Sequence, residues 1–279
     1  MNGYVFLNTD DFCVAWEAYC GRLISVEESS SQGRTPMSSW MASLIKKNDV
    51  NWLHNEMIME TIRQAHFPSQ ISRLRGMYFF EDKATAIRAS EEWHDGRFNL
   101  NNLAEVEFSP DATITKVDHN WIYDNMRNTI DPTTESDTEW IYKYWRSETT
   151  GRNPLWELLV KGKATVLGTQ LRNSAYETIR NKQPRTLGLL ELSRVGWELD
   201  SHFGHIVAWL IKTPSNSYFE IQYASDQRDA DNEEFIEKFR QYQGLRNTRD
   251  LNANTELVNP DLRSEFFRFT IPDNEMFSF

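Results

Sequence analysis

Short runs with the composition of β-strands alternate along this chain with longer segments whose apolar residues recur at helical spacing. Tyr4–Leu7 is a strand-like run, and Phe12 and Trp16 open a helical segment that either Asp10 or Asp11 is placed to cap. Both patterns recur through 279 residues, which is ample length for a buried core. The sequence therefore predicts an α+β fold.

Two later segments also have the composition of β-strands, and the second contains a turn. Ser72–Phe80 ends in four large apolar or aromatic residues and reads as a strand. Leu155–Val160 and Ala164–Leu167, joined around Gly162, predict a β-hairpin.

The pattern restarts past about Thr169. A helix is expected over Gln170–Arg180 and a strand over Leu187–Leu192. We therefore expect two regions, residues 1–168 and a C-terminal α+β extension over residues 169–279.

The charge balance restricts the partners of the chain. There are 41 acidic and 30 basic residues, a net charge of −11, which argues against a broad surface that follows nucleic-acid phosphates. A small local basic site stays compatible with this balance.

Composition also predicts the compartment. The two cysteines, Cys13 and Cys20, lie about 10 Å apart along one helical segment, too far for a disulfide, which favours a reducing compartment. The start Met1–Tyr4 lacks basic residues and no run of 18 apolar residues occurs, so neither a signal peptide nor a membrane span is predicted. We expect a cytoplasmic protein without membrane contact.

Ser72–Phe80 is the first candidate binding segment. As a strand, it places Arg73 and Arg75 on one face, where guanidinium groups match the oxygens of a diphosphate. The alternative is an exposed strand edge with ordinary surface arginines.

Glu157 is the second candidate, because it is a lone carboxylate within an apolar strand. Alternation places Glu157 and Leu159 on one face and Trp156, Leu158 and Val160 on the other. The charge must reach solvent or a polar cleft, since burial without a partner is costly. The alternatives are a position in a polar cleft and a solvent-facing position.

Other patterns point to no site. Glu105 and Glu107 share a strand face but read as a solvated edge, and the spacing of His202 and His205 without further ligands predicts no metal. The glycine-rich nucleotide motifs and the nucleophile elbow of hydrolases are absent from the sequence.

The strand near the N-terminus, the Ser72–Phe80 segment with its following alanine-rich helix, Trp145 and the strand Trp156–Val160 together resemble a bacterial ADP-ribosyltransferase-like family. The Glu-Leu-Leu-Val run is similar to the catalytic strand of the DarT-like and CmdT-like toxins, the latter from phage-defence toxin–antitoxin–chaperone systems. The resemblance covers roughly residues 3 to 168. It implies a split mixed sheet with flanking helices, and NAD as a substrate that donates ADP-ribose, with no metal.

The resemblance also implies roles for residues. Glu157 would stabilise the transition state, with Tyr78 stacking on nicotinamide or serving as a core tyrosine. Ser72 and Arg73 would hold the donor. A His-x-Thr motif of the DarT-like pattern is replaced here, so Asn8 and Thr9 are the candidates for the adenosine ribose.

The implied acceptor is a nucleic acid, with single-stranded RNA such as mRNA as the expectation and an antitoxin protein as an expected partner. Arg180, Lys182 and Arg185 are the candidate contacts, set against an ordinary mixed helix surface. Two alternatives stay open: transfer to a protein acceptor, and a catalytically silent partner-binding module.

Overall fold

The computed structural model describes residues 1–26, 34–47, 50–93, 98–212, 218–242 and 255–270. It confirms the α+β prediction. The helices are α1 (Phe12–Cys20), α2 (Ser39–Lys47), α3 (Val50–His66), α4 (Lys83–Glu92), α5 (Asn120–Asn125), α6 (Glu135–Trp145), α7 (Gln170–Lys182), α8 (Leu187–Glu198) and α9 (Glu233–Gln241). The strands are β1 (Asn2–Phe6), β2 (Arg22–Ile24), β3 (Arg34–Met37), β4 (Met77–Phe80), β5 (Leu103–Phe108), β6 (Thr113–Asp118), β7 (Trp156–Lys161), β8 (Lys163–Val166), β9 (Ile206–Lys212), β10 (Tyr218–Ser225) and β11 (Phe267–Thr270).

The described strands form two sheets. One has seven strands in the order β2-β8-β5-β1-β4-β7-β6, and the other has four in the order β11-β10-β9-β3. Every pairing among the described strands is antiparallel, so the expected mixed sheet is wrong for this part of the chain. The mixed sheet was what the resemblance implied, whereas strands with one buried and one more exposed face, such as β5, are typical of antiparallel sheets.

The seven-stranded sheet opens between β1 and β4. β1 and β4 meet through the facing pair Tyr4 and Phe80, whereas β1 and β5 share five facing pairs. Beyond that pair, Val5–Leu7 and Met77–Phe79 line a cavity. The sheet thus consists of a β2-β8-β5-β1 half and a β4-β7-β6 half with an opening between them.

Gly162 carries the chain from one half of the sheet to the other. β7 and β8 are separated by this residue alone, yet β7 pairs with β4 and β6 while β8 pairs with β2 and β5. The predicted hairpin is therefore wrong. Gly162 has a φ of 130°, and its N–H donates to the Ser25 hydroxyl at 2.9 Å while its carbonyl accepts from the Ser25 N–H at 3.1 Å. These bonds fix a bend of the backbone at Gly162, a corner after which β8 continues in the other half of the sheet instead of pairing with β7.

The C-terminal region contains a helix where a strand was expected. Leu187–Leu192 is the start of α8, in which Leu190 and Trp197 are buried along with most of the other residues. A segment that is buried all round lacks the one-sided periodicity of a surface helix, so its first six residues resemble a buried strand.

The two predicted regions share their cores. One apolar cluster joins Val5 to Leu190 and Phe235, and β3 pairs with β9 in the four-stranded sheet. The boundary predicted at residue 168 stays a prediction, but in the structure the chain on both sides of it packs together.

None of the described helices combines the length and the apolar composition that a membrane crossing needs. Cys13 and Cys20 are buried free thiols on α1. Burial raises the pKa of both thiols, which keeps them protonated at neutral pH.

A buried ion pair ties α1 to β9. His205 Nδ1 lies 2.8 Å from Glu17 Oε2, and the other oxygen of Glu17 accepts from the Ile206 N–H at 2.9 Å. Burial opposes the charge of His205, but the adjacent Glu17 outweighs burial and raises the pKa of His205 above its usual value.

This pair makes stability depend on pH. Because the folded-state pKa of His205 is raised, its contribution is complete below an unfolded-state pKa of about 6.5 and is lost as the pH rises through the folded-state value. We expect the free energy of unfolding to fall above pH 6.5, with a slope of at most about 1.4 kcal/mol per pH unit from this group. Urea titrations between pH 5.5 and 9 measure it.

The His205→Asn variant should lack this slope, and the exposed His66→Gln change should retain it. Identical pH profiles for wild type and His205→Asn would mean that the pair contributes nothing.

Candidate functional site

Glu157 lies near the start of β7 and is buried. It faces Phe80 on β4 and Val117 on β6. Leu159 packs in one apolar cluster while Leu158 and Val160 pack in the other, which confirms the predicted division of faces. Glu157 is 4% exposed, so its interpretation as a solvent-facing position is wrong.

Arg73 lies in a turn before β4 instead of in a strand. The Gly76 N–H donates to the Ser72 carbonyl at 2.8 Å, and the Leu74 N–H donates to the Ser72 hydroxyl at 3.2 Å. A Cβ on Gly76 would lie 2.9 Å from the Ser72 carbonyl oxygen, so the tight turn favours glycine. The predicted strand face shared by Arg73 and Arg75 is therefore wrong: Arg73 is buried and Arg75 is partly exposed.

The Arg73 guanidinium joins two carboxylates. Its Nε lies 3.0 Å from Glu56 Oε2 and its Nη2 lies 3.0 Å from Glu56 Oε1. Its Nη1 donates to Glu157 Oε2 at 3.1 Å and to the Tyr144 hydroxyl at 2.6 Å. Tyr78, whose ring lies beside the guanidinium, and His119, which contacts Glu157, adjoin this group. We call the six side chains together the Arg73 cluster: Glu56, Arg73, Tyr78, His119, Tyr144 and Glu157.

His119 completes the environment of Glu157. Its Nδ1 lies 3.3 Å from Glu157 Oε1, and its ring centroid lies 4.3 Å from that of Trp93. Burial would raise the pKa of Glu157, but His119 and Arg73 outweigh burial and hold that pKa below its usual value. Glu157 is therefore a carboxylate at neutral pH. His119, with 16% of its side chain exposed, lies on the more accessible side of Glu157.

A cavity of about 180 Å³ occupies the opening between β1 and β4. Asn8 and Tyr78, two of the predicted site residues, line it together with Trp40, whose ring centroid lies 6.0 Å from that of Tyr78. Ligand pockets for whole drug-sized molecules measure roughly 300–1,000 Å³. This cavity therefore suits one ring of a larger ligand.

Tyr78 connects the cavity with the Arg73 cluster. Its hydroxyl donates to the Arg73 carbonyl at 2.5 Å, and its ring centroid lies 5.1 Å from Arg73 Cζ. Burial raises the pKa of Tyr78 and keeps the phenol neutral. Tyr78 thus packs as a core residue and also forms a wall of the cavity.

The remaining predicted donor contacts lie nearby or are already bonded. Ser72 is buried in the turn with its hydroxyl bonded to the Leu74 N–H, and Thr9 is buried just after β1. Asn8 Oδ1 accepts from the Asp10 N–H at 3.3 Å. The structure therefore brings Tyr78, Arg73 and Glu157 together, but among these three only Tyr78 lines the cavity, as Asn8 does.

The predicted nucleic-acid contacts lie on and just after α7, and each is already bonded. Arg180 pairs with Glu177, Lys182 donates to the Asp10 carbonyl, and Arg185 lies 2.9 Å from Glu256. The exposed ion pairs of Arg180 and Arg185 contribute about 0–1 kcal/mol each, so phosphates can displace their acids at little cost.

The pair His202 and His205 is not arranged as a metal site. His205 bonds Glu17 instead, and in the described part of the chain no three His, Cys, Asp or Glu side chains are grouped for a metal ion.

Three members of the Arg73 cluster were not identified from the sequence: Glu56, His119 and Tyr144. Glu56 did carry a signal, because it lies on the buried face of α3 with Leu53 and Met59, where an acid requires a partner. His119 and Tyr144 had no distinguishing sequence pattern.

The chain was compared with families of known proteins and with curated proteins. No curated protein matches the chain. The family model described as "Protein of unknown function (DUF2441)" matches residues 26–180, which is more than half of the 279 residues. The matched part contains every member of the Arg73 cluster and excludes Asn8 and Thr9. The chain belongs to the DUF2441 family.

Proposed function

We propose that the chain is a mono-ADP-ribosyltransferase, a glycosyltransferase that uses NAD as its donor. The observation that carries this proposal is the contact of Arg73 with Glu157 at 3.1 Å, separated from the cavity of the divided sheet by Tyr78. An arginine and an ionised glutamate beside a ring-sized cavity supply the groups that the reaction needs.

The opening between β1 and β4 supports an ADP-ribosyltransferase-like arrangement of the sheet. The proposed donor lies in this opening, with one ring in the cavity, against Trp40 and Tyr78, and its ribose towards Glu157. Asn8 and Thr9 follow β1 and are proposed to contact the adenosine ribose, while Ser72 supports the turn that carries Arg73.

The proposed reaction breaks the bond between nicotinamide and its ribose. The bonding electrons leave with nicotinamide, and positive charge develops on the ribose, where the Glu157 carboxylate stabilises it. A nucleophile of the acceptor then bonds to the ribose carbon and transfers its proton to a base, for which Glu157 is the candidate.

The proposed acceptor is a single-stranded nucleic acid, with mRNA in the cytoplasm as the leading candidate. An unpaired strand already presents its base edges, whereas a duplex must be opened at a cost of a few kcal/mol. The supporting feature is the group of exposed basic residues Arg180, Lys182 and Arg185. We further propose action as a toxin in anti-phage defence, restrained by an antitoxin protein.

One observation favours a second candidate, a catalytically silent partner-binding module. Arg73 and Glu157 are 1% and 4% exposed and pair with each other inside the protein, as in a structural ion pair. Transfer to a protein acceptor is the alternative for the active enzyme.

Incubation with NAD labelled in its adenylate part and total cell extract tests these candidates. Label that nuclease removes and protease leaves supports the proposed acceptor, and the opposite pattern identifies a protein acceptor. Absence of labelled product, together with no release of nicotinamide, would favour the silent module.

Charge reversal tests the acceptor surface separately from the chemistry. We expect Arg180→Glu with Lys182→Glu to slow RNA modification about tenfold or more and to leave NAD hydrolysis unchanged, because neither residue belongs to the Arg73 cluster or lines the cavity. Initial rates of both reactions measure this effect. RNA binding across a salt series adds the number of phosphates contacted, because the logarithm of the binding constant should fall against the logarithm of the salt concentration with a slope near −0.7 per phosphate.

Lys238→Glu with Arg240→Glu on α9 is the matched control, since these are also two exposed basic residues on one helix, two positions apart. Equal slowing in both double variants would exclude a specific role for the α7 residues.

A further inference from the structure

The Arg73 guanidinium makes unequal numbers of hydrogen bonds to its two carboxylates. Glu56 accepts from Nε and Nη2, the two parallel N–H donors on one edge of the guanidinium. We call this edge the paired edge, and the two-bond contact that it makes with a carboxylate a fork. Glu157 accepts only from Nη1. Glu56 and Arg73 have side chains that are 0% and 1% exposed. The fork therefore lies wholly inside the protein, on the α3 side of the cluster.

This division leaves one oxygen of Glu157 outside the arginine contact. Arg73 touches Oε2, and Oε1 faces His119 on the more exposed side. Without Glu56, the guanidinium has no buried carboxylate other than Glu157 among its contacts, and a fork with Glu157 would engage both oxygens.

We propose that Glu56 is a positioning residue, which holds Arg73 by its paired edge and so keeps Glu157 Oε1 outside the arginine contact, where its 3.3 Å contact with His119 can give way to the donor ribose. The catalytic consequence rests on the proposed function, whereas the positioning of Arg73 does not. Glu56 bonds the Arg73 guanidinium by both oxygens, so its effect on Glu157 passes through Arg73.

Charge supports the same role. Glu56 and Glu157 carry two negative charges against one positive charge on Arg73, so Glu157 keeps negative charge to offer a cationic transition state. A neutral Gln at position 56 lets Arg73 neutralise Glu157, and it also brings an amide N–H group towards the guanidinium donors.

The kinetic test compares Glu56→Gln with Glu60→Gln. Glu60 is a matched control because it also lies on α3, is 4% exposed and forms a fork with an arginine, Arg63, at 2.8 and 2.9 Å. We expect Glu56→Gln to lower kcat about tenfold or more and to raise KM for NAD by a smaller factor, because Arg73 also holds the donor while positioning errors act mainly on the transition state. Glu60→Gln should keep both values, and Glu56→Asp should recover part of kcat.

A second measurement does not need activity. The side-chain Nε–H resonance of Arg73 should shift and exchange faster with water in Glu56→Gln, and it should stay in place in Glu60→Gln, where the Arg63 resonance moves instead. If Glu56→Gln does not fold, Glu56→Asp provides the same comparison.

The outcomes separate the two proposals. An unchanged Arg73 resonance, or a loss of kcat no greater than in Glu60→Gln, overturns the positioning role. A wild-type protein without transferase activity whose Arg73 resonance responds as expected overturns the proposed function and leaves the positioning of Arg73 by Glu56 standing.

Discussion

Glu157→Gln is expected to reduce ADP-ribose transfer about a hundredfold or more while the chain stays folded. The change removes the negative charge that faces the ribose in the proposed reaction. Arg73 retains its fork with Glu56 and its bond to Tyr144, so the variant leaves no buried cation without a partner. The stability cost should be about 1–3 kcal/mol, as for one weakened buried hydrogen bond to a charged group.

Initial rates of transfer from labelled NAD measure this effect, and near-ultraviolet circular dichroism checks the fold. Glu107→Gln is the control, since Glu107 is an exposed strand carboxylate on β5. Growth assays add a second measurement: expression of the variant should relieve any toxicity of the wild type. Wild-type transfer rates in Glu157→Gln would exclude Glu157 as the catalytic carboxylate.

Arg73→Ala is expected to destabilise the protein by about 3–5 kcal/mol, which is a large part of the stability of a typical domain. The substitution leaves Glu56 and Glu157 buried without their shared counter-charge. Arg75→Ala should cost less than about 1 kcal/mol, because Arg75 is partly exposed and its backbone bond to Val26 survives. Urea unfolding of the two variants measures the difference.

The comparison also separates stability from donor binding. Arg73→Lys keeps the charge but loses the fork, so it is the variant in which NAD affinity is measured by calorimetry. We expect weaker NAD binding in Arg73→Lys than in Arg75→Ala. A fully stable Arg73→Ala protein would mean that the cluster does not form as described.

The candidate site was predictable to the extent that single residues violated a local pattern. Glu157 was identified because a carboxylate interrupts an apolar strand, and the structure places it against Arg73. The environment of Arg73 was not predictable, because its turn depends on Gly76 and its partners come from α3 and α6. Local pattern identifies a residue that needs a partner but does not say which partner it finds.

The sequence by itself determined the local elements. A carboxylate before a helix bonds free N–H groups within three residues, so a cap on α1 from Asp10 or Asp11 was predictable, and the structure has Asp11 in that place. The two faces of β7 follow from the alternation of a strand. These features depend on contacts between neighbouring residues, which the order of residues specifies directly.

Only the tertiary structure decided how these elements join. The corner at Gly162, the antiparallel order of the strands, and the opening between β1 and β4 depend on pairings between distant segments. The Arg73 cluster likewise gathers groups that lie up to 101 positions apart, from Glu56 on α3 to Glu157 on β7. Their contacts form because a charge buried by packing requires a counter-charge, and only the packing of the helices on the sheet brings one within reach.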